Sequence, residues 1–161
     1  MWAPWRMAYV SAENDHEYEG PRCVFCDLPA MGDDAQALIL ARGEHCFVIL
    51  NAYPYASGHL MVVPYAHLDR LTDLAPEAVV EMMDLARTAQ DVLQGALKPH
   101  GFNLGMNQGA AAGAGIEAHL HLHLVPRWSG DTNFMPVTGD VRVMPQSLEE
   151  TYALLKPGFD A

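Results

Sequence analysis

His119-Leu120-His121-Leu122-His123-Leu124-Val125 places three histidines at alternate positions, each followed by an aliphatic residue. On a β-strand the side-chain period is two, so this spacing predicts three imidazoles on one face and three leucines packed inward on the other. A buried imidazole needs a partner for each ring nitrogen, which makes such a row costly to build for packing alone. The row therefore reads as chemistry: a nucleophile, an acid, and an orienting or metal-binding ring carried on one strand.

Working outward, the 161 residues are half apolar, enough for one sizeable core and one domain over residues 1–161. Residues 1–22 read as an arm packed on the domain edge, and residues 128–161 as a C-terminal extension. No apolar run approaches the roughly eighteen residues of a membrane span, and Met1-Trp2-Ala3-Pro4-Trp5-Arg6 lacks the layout of a signal peptide. A soluble cytoplasmic protein is the expectation. The three cysteines are odd in number and include Cys23-Val24-Phe25-Cys26, a pattern for metal or reduced thiols rather than a secreted disulfide framework. Twenty acidic against nine basic side chains give a net charge of −11, which argues against a nucleic-acid groove or an anionic membrane surface as the main partner. A small phosphorylated metabolite remains compatible where backbone N–H groups, imidazoles, Arg127 or a divalent cation hold it.

Phe47-Val48-Ile49-Leu50 and His59-Leu60-Met61-Val62-Val63, bounded by Asn51, Pro54, Gly58 and Pro64, read as two buried strands forming a hairpin. Pro76 to Lys98 carries a helical apolar period through Val79, Val80, Met82, Met83, Ala86, Ala89, Leu93 and Leu97, with Pro at its start and the Met pair as core filler. Gly101 to Asn107 reads as a further strand. The loop Gln108 to Gly115 follows, then the histidine strand, and a short helix over Ser147–Leu155 with Ser147 as its cap.

His119 to Val125 is similar to the defining pattern of the histidine triad (HIT) family of nucleotide hydrolases and transferases. Gly58-His59-Leu60-Met61-Val62-Val63-Pro64 resembles that family's second signature, and Asn107-Gln108-Gly109 its Asn-x-Gly step before the phosphate loop. The likeness spans about residues 22–127. It implies an α+β HIT-like domain: a five-stranded antiparallel sheet, one long helix and a short C-terminal helix, usually paired as a two-fold homodimer. It also implies ribose binding by Asn51, a purine site bounded by Phe25, Leu28, Ile49 and Met61, and substrate binding by Asn107 ahead of the phosphate loop and by Gly113 and Gly115 within it. Trp2-Ala3-Pro4-Trp5-Arg6 and the run Pro126 to Pro136 resemble the branch that includes bacterial diadenosine polyphosphate phosphorylases and hydrolases. In that branch Trp128 would stack on a second base. Gly115 and Ile116 depart from the family, since many members place Gln and Ser or Thr there.

The chemistry fits the residues. A neutral imidazole attacks an α-phosphorus and the resulting phosphoramidate breaks down readily, so one hard displacement becomes two easier ones. His121 is the expected nucleophile, His123 a donor to the phosphate, His59 a second donor, and His119 the remaining member of the row. Cys23, Cys26, His67 and His119 form a set suited to tetrahedral zinc, and the resemblance implies a structural one. Mg²⁺ is expected only with a polyphosphate substrate. The reading is a nucleotide hydrolase or nucleotidyltransferase acting on dinucleoside polyphosphates through nucleotidyl-His121, with water or inorganic phosphate as acceptor. The alternatives are a nucleoside phosphoramidate hydrolase and a nucleotide-binding module with little turnover.

Overall fold

The computed structural model describes residues 23–131 and 146–160. The arm expected over residues 1–22, with Trp2-Ala3-Pro4-Trp5-Arg6, lies outside the described residues, as do residues 132–145 of the C-terminal extension.

Strict alternation of apolar side chains builds a sheet covered on both faces. The strands are β1 (Ile39–Arg42), β2 (Cys46–Leu50), β3 (Leu60–Pro64), β4 (Gly101–Met106) and β5 (Leu122–Arg127). They lie in the order β1-β2-β3-β5-β4, with every neighbouring pair antiparallel. Cys46, Val48 and Leu50 of β2, Leu60 and Val62 of β3, and Leu122 and Leu124 of β5 enter one core with the long helix. Phe47 and Ile49 of β2 and Met61 and Val63 of β3 point the other way, into a second cluster with Cys23, Phe25, Ala37 and Ile39. This explains why β2 and β3 read as continuous apolar runs: strands buried on both faces have no solvent side to mark with polar residues.

The first core lies under α3 (Pro76–Leu97), where Pro76 occupies the first turn and Ala78, Met82, Ala86, Ala89 and Leu93 face the sheet. The expected Met pair divides: Met82 is buried, whereas Met83 and Val80 are 46% and 63% exposed, because they fall on the outer side of the helical stripe. Helix α4 (Leu148–Phe159) runs past Leu155 through Pro157 and starts with a capping box between Ser147 and Glu150. It packs through Thr151 and Leu155, and the Tyr152 hydroxyl donates to the Ile39 carbonyl at 3.1 Å.

Three elements were not anticipated: β1, α1 (Val24–Ala30) and α2 (Asp34–Ala37). All are short, and β1 carries an irregularity between Ile39 and Ala41, so none shows a full period in sequence. The histidine strand is also shorter than expected. Its ladder begins at Leu122: β4 ends there with Met106 opposite Leu122, and β3 pairs with it only as far as Val62 while continuing to Pro64 beside β2. His119 and His121 precede the ladder, and the Leu120 N–H donates instead to the Leu68 carbonyl at 2.6 Å. The side-chain alternation nevertheless persists, with Leu120 in the helix-side core.

Gly58 sets the turn between β2 and β3 at φ +75, and a Cβ there would stand 2.6 Å from Leu97 Cδ1 and 2.9 Å from Leu93 Cδ2. Gly58→Ala combines an unfavourable backbone with a clash in the core. It is expected to cost about 1–3 kcal/mol of unfolding free energy, measured as a lower urea midpoint at unchanged m-value.

Candidate functional site

The sheet face opposite α3 carries a continuous aromatic row. Ring centroids run from Phe25 to His121 at 5.1 Å, His121 to His123 at 4.7 Å, His123 to His59 at 5.1 Å and His59 to Tyr55 at 4.6 Å. β5 supplies His123, the segment just before it supplies His119 and His121, and the turn into β3 supplies His59. His59, His119 and His121 are buried, with at most 4% exposure.

Each ring is fixed by a partner at one nitrogen, and these partners assign the protons. His121 Nδ1–H donates to the His119 carbonyl at 2.8 Å, which leaves Nε2 as a bare lone pair. His119 Nε2–H donates to the Pro64 carbonyl at 2.8 Å, which leaves Nδ1 bare. The Tyr55 backbone N–H donates to His59 Nδ1 at 3.1 Å, so the His59 proton sits on Nε2 and is given to His123 Nδ1 at 3.0 Å. His123 therefore carries its own proton on Nε2. The Asn51 side-chain amide lies 3.5 Å from His59 Nε2, too far to compete, while its Oδ1 accepts the Tyr53 N–H at 2.8 Å.

Burial keeps His119, His121 and His123 neutral. Burial lowers the pKa of His121 against the opposing pull of the His119 carbonyl, and burial likewise lowers that of His119 against its bond to Pro64. Burial, with a smaller contribution from His121, pushes His123 down to about 4. In the free chain at pH 7, His123 thus offers a hydrogen-bond donor rather than the acidic proton of an imidazolium.

Cys23, Cys26, His67 and His119 converge below this row, each offering one ligand atom, all within 4.8 Å of one another. His119 Nδ1 stands 3.2 Å from Cys23 Sγ and 3.7 Å from Cys26 Sγ, and His67 Nδ1 stands 3.4 Å from Cys26 Sγ. Zinc bonds of about 2.3 Å to sulfur and 2.05 Å to nitrogen in a tetrahedron imply S···N edges of about 3.6 Å, so the set fits that ion. The Pro64 carbonyl supplies the outer partner that a ligating histidine requires. The Cys-x-x-Cys stretch opens helix α1 rather than a tight turn, with Cys23 at its N-cap. Without a metal, desolvation first and then the bond and charge of Cys23 raise the Cys26 thiol to about 11, even though this residue is at the surface. A bound dication would displace that proton. Cys46 is a buried strand residue whose Sγ faces the Ala78 carbonyl at 3.6 Å.

Phe25, Ile49 and Met61 meet in the second cluster, with Leu28 and Ile116 packed against it. Asn107 follows Met106, the last residue of β4, which pairs with Leu122. Gly113 ends a single 3₁₀ turn (Ala110–Ala112) at φ +80, and Gly113 and Gly115 are exposed. Trp128 lies beyond the far end of β5, five residues and about 16 Å of strand from His123 in the same chain. Arg127 is also at that end, bonded to Asp131 at 2.7 Å and to Asn103 at 2.6 Å. Sequence reasoning missed Tyr55 and the carbonyls of Pro64 and His119. All three hold their histidines through backbone atoms, so no side-chain signal marks them.

A family model described as the HIT domain matches residues 33–130. Over 159 residues, 96% of this chain and 81% of the other, the sequence is 40% identical to an AP-4-A phosphorylase of Mycobacterium tuberculosis. Over 109 residues, 68% of this chain and 54% of the other, it is 32% identical to an adenylylsulfatase of Arabidopsis thaliana. Among solved structures it is similar to a Zn-bound histidine triad family protein from Mycobacterium smegmatis, with a TM-score of 0.69 and 31% identity over 86% of this chain and 93% of that one.

The neutral row has a consequence for acid stability. Between the ordinary value of 6.5 and the folded value of about 4, the unfolded chain holds a proton on His123 that the folded chain does not. Unfolding free energy therefore falls as the pH drops through that window. Relative to His123→Phe, the wild-type chain is expected to lose about 1–2 kcal/mol more between pH 7 and pH 4.5, after allowing for solvent screening. Urea titrations of both proteins at the two pH values measure the difference.

Proposed function

The chain belongs to the HIT-domain family, and on that premise we propose that it is a nucleotidyltransferase that opens a dinucleoside polyphosphate through nucleotidyl-His121 and passes the nucleotide to inorganic phosphate. The observation that carries this reading is the His121 ring: neutral, buried, and tied by Nδ1–H to the His119 carbonyl so that Nε2 is the free nucleophile. The 40% identity to an AP-4-A phosphorylase across nearly the whole chain supports the substrate class and the acceptor. That extent of match also supports reading residues 1–161 as one domain.

Attack by His121 Nε2 forms the P–N bond and breaks the bond from the α-phosphorus to the bridging oxygen, releasing the remaining polyphosphate as a nucleotide. The imidazole keeps its Nδ1 proton, so the intermediate is a cationic phosphoramidate whose charge the His119 carbonyl stabilises. No proton has to move before the second step. A phosphate oxygen then forms the new P–O bond, the P–N bond breaks, and His121 leaves as the neutral ring that began the cycle. His123 Nε2–H donates to the developing negative charge, and the bond from His59 holds that donor in place. In this reading Asn51 would meet the ribose, Phe25, Leu28, Ile49 and Met61 would bound the base, and Asn107, Gly113 and Gly115 would meet the phosphates. Trp128 would reach a second base only from another copy or a longer path. Cys23, Cys26, His67 and His119 would hold a structural zinc, whose contribution when bound is to pin α1 to the sheet.

A homodimer in the cytoplasm completes the reading. Strand β4 supports the pairing: it is an edge strand with only β5 beside it, and its Leu104 is 41% exposed. No helix among the described residues is long and apolar enough to cross a membrane.

Incubation with diadenosine tetraphosphate should give ADP and ATP only when phosphate is present, and His121→Asn should lower kcat by about 10³-fold or more. AMP and ATP formed without phosphate would make water the acceptor. The identity to an adenylylsulfatase supports a second reading, with a smaller leaving group. Release of AMP from adenylyl sulfate or adenosine phosphoramidate, with diadenosine tetraphosphate untouched, would favour it.

A further inference from the structure

Phe25 occupies an unusual position, standing in sequence between the two cysteines of the cluster while its ring would form part of the proposed nucleoside pocket. The ring is 3% exposed and packs edge-on to His119 at 5.5 Å and against His121 at 5.1 Å. Its helix, α1, has seven residues, contains Pro29, and has no side-chain cap at Cys23. A helix of this length does not hold itself in water, so its placement depends on tertiary anchors. Among the described residues three are evident, one of them the burial of Phe25 itself in the second cluster with Ile39, Phe47 and Met61. At the C-terminal end, Arg42 Nη2 donates to the Pro29 carbonyl at 2.9 Å and to Asp34 at 2.8 Å. At the N-terminal end the anchor is the cluster itself, through Cys23 and Cys26. His119 adds a second path, because its Nδ1 faces the thiols while its carbonyl holds the His121 proton.

We propose that Phe25 couples the Cys23/Cys26/His67/His119 cluster to the nucleoside pocket, so that a bound metal ion and a bound nucleotide tighten one another. The proposal rests on the nucleotide reading given above. A metal held by both cysteines fixes the first turn of α1 and hence the Phe25 ring. With the ring fixed, the pocket wall no longer has to be ordered at the moment of binding, which removes an entropic cost. Cys23 and Cys26 are then positioning residues acting through Phe25. Linkage requires the effect to be reciprocal: whatever factor the metal adds to nucleotide affinity, the nucleotide adds to metal affinity.

The test is a competition between the full chain and a chromogenic chelator for zinc, with and without saturating AMP, in the wild type and in Phe25→Leu. AMP should raise the zinc affinity of the wild type by about tenfold, a coupling of ordinary allosteric size. In Phe25→Leu the factor should fall below about twofold while zinc still binds. An AMP effect absent from the wild type, or retained in full by Phe25→Leu, overturns the proposal. Far-UV circular dichroism of the metal-free chain identifies coupling that acts only through global unfolding, which Phe25→Leu would retain. Calorimetry of AMP on the zinc-loaded chain separates the two claims, since no binding there means that the nucleotide reading fails. The coupling is then decided by NMR: the exchange-protected Nδ1–H signal of His121 should disappear on zinc removal, and its persistence would overturn the proposal.

Discussion

Three of the four imidazoles in the row are oriented directly by backbone groups, and the fourth by its neighbour. Pro64 O fixes His119, His119 O fixes His121, and the Tyr55 N–H fixes His59, which in turn fixes His123. Burial makes this arrangement binding, because a buried ring nitrogen without its partner would leave a costly unpaired polar atom. The outcome is a set of neutral rings with their free nitrogens decided in advance. His119 directs a lone pair at two thiols, His121 leaves one on Nε2, and His123 presents a hydrogen. Charged rings would repel one another at centroid distances near 5 Å and could not act as nucleophiles.

This arrangement requires a sheet with both faces covered. One face carries the leucines of β5 under α3, and the other carries the histidines with Phe25, Ile49 and Met61. The alternation that sends leucine one way and histidine the other is the same rule that builds the core, so the site and the fold share one pattern. Loss of register by one residue would exchange the two faces, placing imidazoles under α3 and leucines in the site. The partner strands β3 and β4 prevent this, with Met61 and Gly105 both set opposite His123.

Much of this was legible in sequence. The β2–β3 hairpin, the long helix starting at Pro76, the strand after it and the cap at Ser147 each announce themselves through period or capping chemistry, and the structure has all four. The metal set was also readable, since soft and borderline ligands are few and Cys23-Val24-Phe25-Cys26 supplies half of it. What escaped were the elements too short to show a period, β1, α1 and α2, and the point at which the histidine strand joins its ladder. Those depend on how far pairing with the neighbouring strands extends, which is a property of the neighbours as much as of the segment.

By itself the sequence determined which side chains alternate, and hence that three histidines would share a face away from three leucines, because a two-residue period is a local property of extended backbone. Tertiary structure alone decided the chemistry of each ring. His119 meets Pro64 across 55 residues and Cys23 across 96, and His59 meets His123 across 64. The position of a proton on an imidazole depends on which group faces each nitrogen, and those groups arrive only when the sheet closes.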